Sequence, residues 1–457
     1  MRLLPLLCLL LVACGSNPPP PAATLPAPPA AFKAQAQEAK GGLQALQKNW
    51  WTVYGDPVLN RLQEQAASGN SDIQLAASRL AHAMALARQS GAQRLPQLSL
   101  SAGAVRQQGP LLNAAGQEGN LFTAAASLSY ELDLMGRLAQ TGDAAALDAQ
   151  SRADLLEGAR LLTQAQVAQA YLGLRAVDAE AEQLQQELAL DRQGLRIQAQ
   201  RLQAGAIAES DYELARSQAT ARTGERQVLQ QRRVEAENLL AVLLGQSPSE
   251  FKLERNTAWS ARPPRLPADL PAGVLARRPD VAAAQKNLLA AQKRVGVAQS
   301  AWLPSMSLTG TSGFASPDLG NLFTAAMQTW AFGVLANLSL LDGGRRAAGV
   351  AMAEADVRTA LLGYQERVLQ ALREVEDQLS AQQQLAQQGE ALERASSSAR
   401  RAVELTQARL QNGTISQLDA LQAQRQALQT QRALQQLRAN QLQSSVALVR
   451  ALGGGWN

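Results

Sequence analysis

Histidine and cysteine are nearly absent: the 457 residues hold one histidine, His82, and two cysteines, Cys8 and Cys14. A metal centre of nitrogen and sulfur ligands needs several such side chains together, whereas His82 stands alone on an alanine-rich stretch. Cys8 falls inside an apolar leader, which leaves no thiol pair for a disulfide. No nucleophile motif and no phosphate-cradling glycine loop occurs. An enzyme is therefore not expected, nor is a metal or cofactor. Aromatic residues make up only 4% of the chain, too few and too scattered to stack bases. The net charge of +5 comes without any basic block, so nucleic acid is not expected and the charges read as a solvated surface. Long apolar runs are missing too. Residues 3–12 give about ten apolar positions, against the roughly 20 that a membrane-spanning helix needs.

Proline is missing between Pro110 and Pro248 and again after Pro317. Eight of the 19 prolines precede residue 30 and six lie between Pro248 and Pro279. The proline-free stretches are rich in Ala, Leu, Gln, Glu and Arg, all strong helix formers, and read as long helices.

What is present is a chain written twice at a shift of 208 residues. Asp72, Leu95, Pro96, Ser99, Leu100, Gly136, Arg137, Arg201, Leu202, Gln203, Gly205, Ile207, Asp211, Leu244 and Gly245 recur as Asp280, Leu303, Pro304, Ser307, Leu308, Gly344, Arg345, Arg409, Leu410, Gln411, Gly413, Ile415, Asp419, Leu452 and Gly453. Solenoid units run to about 20–50 residues and come in larger numbers, so a repeat this long implies duplication of a whole domain and pseudo-symmetry.

Each copy carries two segments of alternating hydrophobicity. In the first, Leu98, Leu100, Ala102 and Ala104 oppose Gln97, Ser99, Ser101 and Gly103, and Leu128, Tyr130, Leu132 and Leu134 oppose Ser127, Ser129, Glu131 and Asp133. In the second, Met306, Leu308 and Phe314 oppose Ser305, Ser307, Thr309 and Thr311, and Trp330, Phe332, Val334, Leu338 and Leu340 oppose Gly333, Asn337 and Ser339. Period-two alternation over about ten residues suits a tilted β-strand crossing a bilayer, apolar side to lipid and polar side to a water-filled lumen. The same alternation also fits one face of a soluble sheet; the Ser, Thr, Gly, Asn and acidic composition of the other face favours the lumen. Four strands cannot close a barrel, and open edges are not tolerated in lipid, so the barrel must be shared between chains. A dimer would supply eight strands and a trimer twelve, the latter wide enough for a passage. The segments 107–121 and 315–329 read as outer loops, and both include the run Gly-Asn-Leu-Phe-Thr-Ala-Ala, at 119–125 and 320–326.

A helix is predicted over about 138–203, with Leu174, Val177, Ala181, Leu184, Leu188, Leu195 and Leu202 at heptad spacing. At 1.5 Å per residue it would be roughly 100 Å long. Gly205 suits a left-handed cap, and Ser210-Asp211-Tyr212-Glu213 fits a capping box opening a return helix to about 245. The second copy predicts strands over about 304–314 and 329–341 and helices over about 346–411 and 416–452. Its turn ends on Gly413, and Ser416-Gln417-Leu418-Asp419 offers the new start. The first copy's strands are expected over about 97–107 and 121–134.

The N-terminus pairs Arg2 and the apolar run with Leu11-Val12-Ala13-Cys14, which resembles the bacterial lipobox. That resemblance implies a signal peptide over 1–13 and a lipid on Cys14, and Gly15 in place of Asp implies sorting to the outer membrane. The Pro/Ala-rich residues 14–42 read as an extended tether. The remaining division is a first repeat over 43–247, a linker over 248–279 and a second repeat over 280–457.

Three further motifs carry a family resemblance over nearly all of the chain from about residue 43. They are Trp50-Trp51-x-x-Tyr54-x-Asp56-x-x-Leu59, Leu270-Pro271-Ala272-Gly273-Val274-Leu275-x-Arg277-Arg278-Pro279-Asp280-Val281 and Leu452-Gly453-Gly454-Gly455-Trp456. In these the chain resembles the outer-membrane factors of tripartite efflux systems, TolC-like and nearest the OprM-like, NodT-type lipoprotein branch. The resemblance implies a mainly α-helical homotrimer: a twelve-stranded outer-membrane β-barrel continuous with a twelve-helix periplasmic barrel of antiparallel coiled coils. It implies a passive exit duct whose partners are a periplasmic adaptor and an inner-membrane transporter of the resistance-nodulation-division type. The turns Gly205-Ala206-Ile207-Ala208 and Gly413-Thr414-Ile415-Ser416 would contact the adaptor. Glu209, Asp211 and Asp419, with Arg201 and Arg409 as partners, are candidates for a closed periplasmic gate. The OprM-like pattern often has Asp two residues after the second glycine where this chain has Ile415, which implies a gate resting more on apolar contact. The same acids also suit helix capping and macrodipole compensation. Alternatives are a spacer lipoprotein without a pore and, among ducts, a metal-ion or type I protein-secretion conduit.

Overall fold

The computed structural model describes residues 32, 49–108, 118–256, 263–264, 273, 275 and 277–454. Cys14, the signal peptide, the tether apart from Phe32, half of the linker and Gly455-Trp456 lie outside the described residues. The fold is mainly α-helical with one four-stranded antiparallel sheet. No helix among the described residues is long and apolar enough to cross a membrane.

The helices are α1 (Pro57–Gly69), α2 (Ser71–Ala92), α3 (Arg137–Gln203), α4 (Glu209–Leu243), α5 (Pro279–Ser300), α6 (Arg345–Gln411) and α7 (Gln417–Ala451). The strands are β1 (Gln97–Gln108), β2 (Glu118–Leu132), β3 (Ser305–Ser316) and β4 (Gln328–Asn337). α3 and α6 each run for 67 residues without a proline to break the hydrogen-bond ladder. The chain divides into two compact units, and each long helix contributes its first part to one and the rest to the other.

The unit formed by Arg79–Ala153 and Ala283–Glu366 contains the whole sheet, a meander in the order β1-β2-β3-β4. Its central seam, β2 against β3, joins the hairpins of the two sequence copies, with Tyr130 opposite Leu308 and Ala126 opposite Ser312. Beneath the strands the helices start on acidic caps. Asp133 accepts the backbone N–H groups of Leu138 (3.0 Å) and Ala139 (2.7 Å), and Asp342 accepts those of Gly344 and Arg346 (both 3.1 Å). Lys293 and Arg294 on α5 pair with Asp143 and Asp148 on α3.

The unit formed by Pro28–Ser78, Asp154–Ala282 and Arg367–Asn457 holds the main core, where Trp50, Leu59, Leu172, Leu174, Leu240, Leu442 and Val446 are all but fully buried. The Trp50–Leu59 motif is structural. Trp50 donates to Gln164 Oε1 (3.2 Å), Tyr54 and Ser445 share a 2.7 Å hydroxyl contact, and Asp56 caps α1 while accepting the Tyr171 hydroxyl (2.6 Å). Two carbonyls at the ends of the return helices are met in matching ways. Asn70 Nδ2 donates to Leu243 O (2.9 Å), and 208 residues on, Arg278 Nη1 donates to Ala451 O (3.2 Å). Arg278 also binds Asp280 (2.8 Å) and Glu374 (2.7 Å). Burial raises the Asp280 carboxyl, but its bonds to Arg278 and to backbone N–H groups outweigh that and leave it below the usual carboxylate range.

Three expectations need correction. β4 stops at Asn337, so Leu338 and Leu340 lie beyond the strand, where Asp342 and the left-handed Gly343 and Gly344 already turn the chain into α6. β2 likewise ends at Leu132, short of Leu134, and begins earlier than expected, at Glu118. It therefore also takes in Gly119 and Asn120, expected in the loop, so the whole Gly-Asn-Leu-Phe-Thr-Ala-Ala run at 119–125 is strand, while the copy at 320–326 forms two short 3-10 turns.

Candidate functional site

Two places carry the chemistry expected of this chain: the faces of the sheet and the turns between the long helices. The register fixes the faces. Leu98 stands opposite Leu128, Leu100 opposite Ala126, Tyr130 opposite Leu308, Leu308 opposite Val334 and Gly310 opposite Phe332. All of these project to one side, because opposed residues share a face and faces alternate along each strand. On the other side Ser99 meets Ser127, Ser127 meets Thr311, Ser129 meets Thr309 and Glu131 meets Ser307. The apolar side is uncovered within the chain: Leu100 is 85% exposed and Trp330 76%. β1 and β4 are the edges of the sheet and each has one hydrogen-bonded neighbour.

The helix turns are built alike. Gly205 and Gly413 adopt φ 69° and 71°, a left-handed conformation that glycine takes without a Cβ penalty. Ala206 N–H reaches back to Arg201 O (2.8 Å) and Thr414 N–H to Arg409 O (3.0 Å), satisfying carbonyls left open by the helix end. Arg201 and Arg409 sit in the last turns of α3 and α6, where the macrodipole favours a cation.

The starts of the return helices differ. Ser416 and Asp419 form a reciprocal capping box, with Asp419 accepting from Ser416 N–H (3.0 Å) and hydroxyl (2.7 Å). Those bonds, with smaller contributions from Arg409 and Arg201, hold the Asp419 carboxyl below the usual carboxylate range. The capping box expected at Ser210 is not made: α4 begins at Glu209 with Ala208 at the cap and no side-chain cap bond. Glu209 and Asp211 fall in its first turn. Among the described residues no ion pair within 4 Å joins Glu209, Asp211 or Asp419 to Arg201 or Arg409. Ala206, Ile207, Thr414 and Ile415 lie in the turns themselves.

One feature of the helices escaped the sequence reading, which took their charges as solvated. Arg175, Asp178, Glu187 and Asp191 of α3 are buried. Asp178 pairs with Arg175 (3.2 Å) and Arg233 (2.8 Å), and these arginines hold the carbonyls of Glu254 and Leu253 (both 2.6 Å), pinning the connecting segment to α3 and α4. Arg222 and Arg425 converge on Asp191. The available signal was the seven-residue spacing of Glu180 with Glu187 and of Arg425 with Arg432, which places each pair on one face of its helix.

A family model for outer membrane efflux proteins matches residues 62–246 and again 270–454, the second match beginning and ending 208 residues after the first. The chain belongs to the outer membrane efflux protein family. It is similar to the pyoverdine export outer membrane protein OpmQ of Pseudomonas putida, with 32% identity over 98% of this chain and 97% of that protein. It is 30% identical to outer membrane protein OprJ of Pseudomonas aeruginosa over 99% of this chain and 95% of that one. Among solved structures, the outer-membrane channel OprN superposes with a TM-score of 0.82 at 28% identity, covering 96% of this chain and 98% of the other. As an outer membrane efflux protein the chain is an outer-membrane channel component of an efflux system, and family members are channels rather than enzymes.

Proposed function

We propose that this outer membrane efflux protein is a homotrimeric, passive exit duct of a tripartite pump. The observation that carries the reading is the sheet: one face is apolar and uncovered, the other is lined by Ser and Thr, and both edges are open. Unpaired backbone groups find no water in lipid, so β4 must pair with β1 of a neighbour until the sheet closes. Three copies close at twelve strands, a width that leaves an aqueous passage between the hydroxyl-lined faces. The matching contacts of Asn70 and Arg278 and the doubled family match support duplication as the origin of the two hairpins. The helices α3, α4, α6 and α7 of each copy would form the periplasmic barrel.

In this reading Cys14 carries the lipid and residues 14–42 tether it to the folded part. The turns at 205–208 and 413–416 receive a periplasmic adaptor, which joins the duct to an energised inner-membrane transporter of the resistance-nodulation-division type. Asp419, Asp211 and Glu209, with Arg201 and Arg409, narrow the aperture at these turns. A duct lined by small hydroxyl side chains needs no tight substrate site. Cargo is set by the transporter and adaptor.

The test is planar-bilayer conductance of the purified, lipidated protein together with its mass in detergent. A mass of three protomers with a small resting conductance that rises in Asp211→Ala/Asp419→Ala is the expected result. A trimer whose conductance ignores those substitutions refutes the gate assignment alone. A monomer without conductance refutes the shared barrel.

A further inference from the structure

Well above the turns, three helices bring together a cluster of charges in which Glu187 and Asp191 are buried, while the Glu225 side chain is 45% exposed. α3 contributes Glu180, Glu187 and Asp191, α4 contributes Arg222 and Glu225, and α7 contributes Arg425 and Arg432. That is four carboxylates against three guanidinium groups. The arginines lie against the other carboxylates: Arg222 hydrogen-bonds Asp191 (2.6 Å), Arg425 forms an ion pair with it (3.0 Å) although its Nε makes no hydrogen bond, and Arg432 binds Glu180 and Glu225 (3.0 and 2.9 Å). Glu187 is left over. Its Oε2 lies 3.9 Å from Arg222 and 3.8 Å from Arg432, too far for a hydrogen bond, and its Oε1 is buried with no donor.

A second acceptor lies one helical turn earlier in the same condition. Gln183 is buried and its Oε1 also lacks a donor. Residues four apart share a helix face, which puts the Gln183 side chain within reach of Glu187, and neither buried oxygen has a hydrogen to receive. Leaving such groups unsatisfied is costly, and one proton resolves both at once. Leu184, Leu188 and Leu229 form a buried apolar cluster at this level of α3 and α4.

We propose that Glu187 is a proton-binding site of the folded channel: its carboxyl binds a proton and the O–H donates to Oε1 of Gln183. Burial pushes the Glu187 carboxyl up from the ordinary glutamate range, with Arg432 and Arg222 opposing but not cancelling it. The sign follows. An acid whose folded value is raised contributes stability that is full below its unfolded value, near 4.3, and is lost as pH rises through the folded value. Loss of the proton leaves a carboxylate without a hydrogen bond between α3 and α4, which lead to and from the first turn, and α7, which leads from the second. Alkaline conditions therefore loosen this part of the hairpins and mild acid tightens it.

The test is infrared difference spectroscopy of the full-length protein in detergent, titrated from about pH 4 to about pH 9, a range that starts near the unperturbed glutamate value. The wild type should show a protonated-carboxyl band that persists above the exposed-glutamate range and is missing from Glu187→Gln. Gln183→Leu, which removes only the acceptor, should move the loss of that band to lower pH, and it serves if the first variant does not fold. The unfolding midpoint of the wild type should fall across the same titration, and that fall should vanish in Glu187→Gln. No such band in the wild type, or a band unchanged in Glu187→Gln, overturns the proposal. Neither measurement depends on conduction, so failure here is distinguishable from failure of the duct reading.

Discussion

Replacing Gly245 by alanine should cost far more than the same change at Gly413, although the two residues share one backbone conformation, φ 71° at each. An L-residue in the left-handed region is disfavoured by about 1–2 kcal/mol, and at Gly413 that is the whole effect, because an added Cβ meets nothing within 4 Å. At Gly245 the Cβ would land on the carbonyl oxygen of Gly69 and sit 2.8 Å from its carbon. These are main-chain atoms at the end of α1 and cannot rotate aside, so the crossing of α1 over the end of α4 must open. Overpacking of this kind costs about 1–3 kcal/mol, and opening also strains the buried bond from Asn70 to Leu243 O. Gly245→Ala should therefore lose about 2–5 kcal/mol against about 1–2 for Gly413→Ala. The assay is the half-life at fixed temperature in detergent, which reads the unfolding barrier. A difference of about 1–3 kcal/mol predicts a half-life roughly five- to over a hundredfold shorter for Gly245→Ala, if the crossing opens before the rate-limiting barrier. Gly69→Ala is the reciprocal control. Its Cβ would strike Leu244 O, yet helix propensity alone favours alanine by about 1 kcal/mol. Equal half-lives for Gly245→Ala and Gly413→Ala, or a gain in stability for Gly69→Ala, would refute the close-approach reasoning.

In the proposed shared barrel, Leu100→Arg would put a charge on the lipid side at a cost of about 2–4 kcal/mol near the midplane and should block assembly, whereas Ser101→Arg on the opposite face should leave a heat-resistant oligomer on gels. Ser416→Ala removes half of the capping box and should raise hydrogen exchange at the start of α7 by about 0.5–2 kcal/mol of local stability, while Ala208→Ser should slow it at the start of α4. Because the Asp419 carboxyl is held low, its contribution to the α7 cap is present above its unfolded value and should fade only as pH falls through the folded one; exchange at 416–420 that already quickens near pH 5 would contradict this. Arg278→Ala strands the carboxylates of Asp280 and Glu374 and the carbonyl of Ala451, and should cost about 3–5 kcal/mol in thermal unfolding.

The elements that could be read from the sequence were those whose pattern repeats many times. The alternation of Leu98, Leu100, Leu128, Tyr130, Leu308 and Val334 survives any error of one residue at a strand end, and Gly205 and Gly413 mark turns that no other residue makes as cheaply. Caps depend on one position and were read less well. Ser210-Asp211-Tyr212-Glu213 is a good capping box two residues too late. The turn after Gly205 returns the chain to helical geometry by Glu209, so the cap position falls to Ala208, the counterpart of Ser416. Turn length chose the cap, and the better capping residue arrived inside the helix. The buried charges were missed for another reason. A tally of Arg, Glu and Asp along α3 gives their number but not their face, and Glu187 is buried beside an exposed Gln186 because the two project from different sides of the helix.

The heptapeptide Gly-Asn-Leu-Phe-Thr-Ala-Ala shows where local reading ends. At 119–125 every residue pairs with β1, and Phe122, Thr123, Ala124 and Ala125 pair with β3 as well. At 320–326 the same residues follow Pro317 and Asp318, and the Asp318 carboxylate takes the Gly320 N–H (3.1 Å) and the Asn321 side chain (3.1 Å) to fold a tight turn. Phe323 then packs edge-on against Phe314, at 5.5 Å between ring centres, instead of extending β4. The intrinsic preference of the seven residues is identical in both places, so it cannot be what decides. Four residues of the first copy have strand neighbours on both sides, so β1 and β3 between them meet those residues' backbone groups. The second precedes an edge strand with one neighbour in the chain, and an aspartate offers its amides a closer partner. Strand preference is a fit to neighbouring strands more than a property of the peptide, and pairing, not the seven residues, separates the two copies.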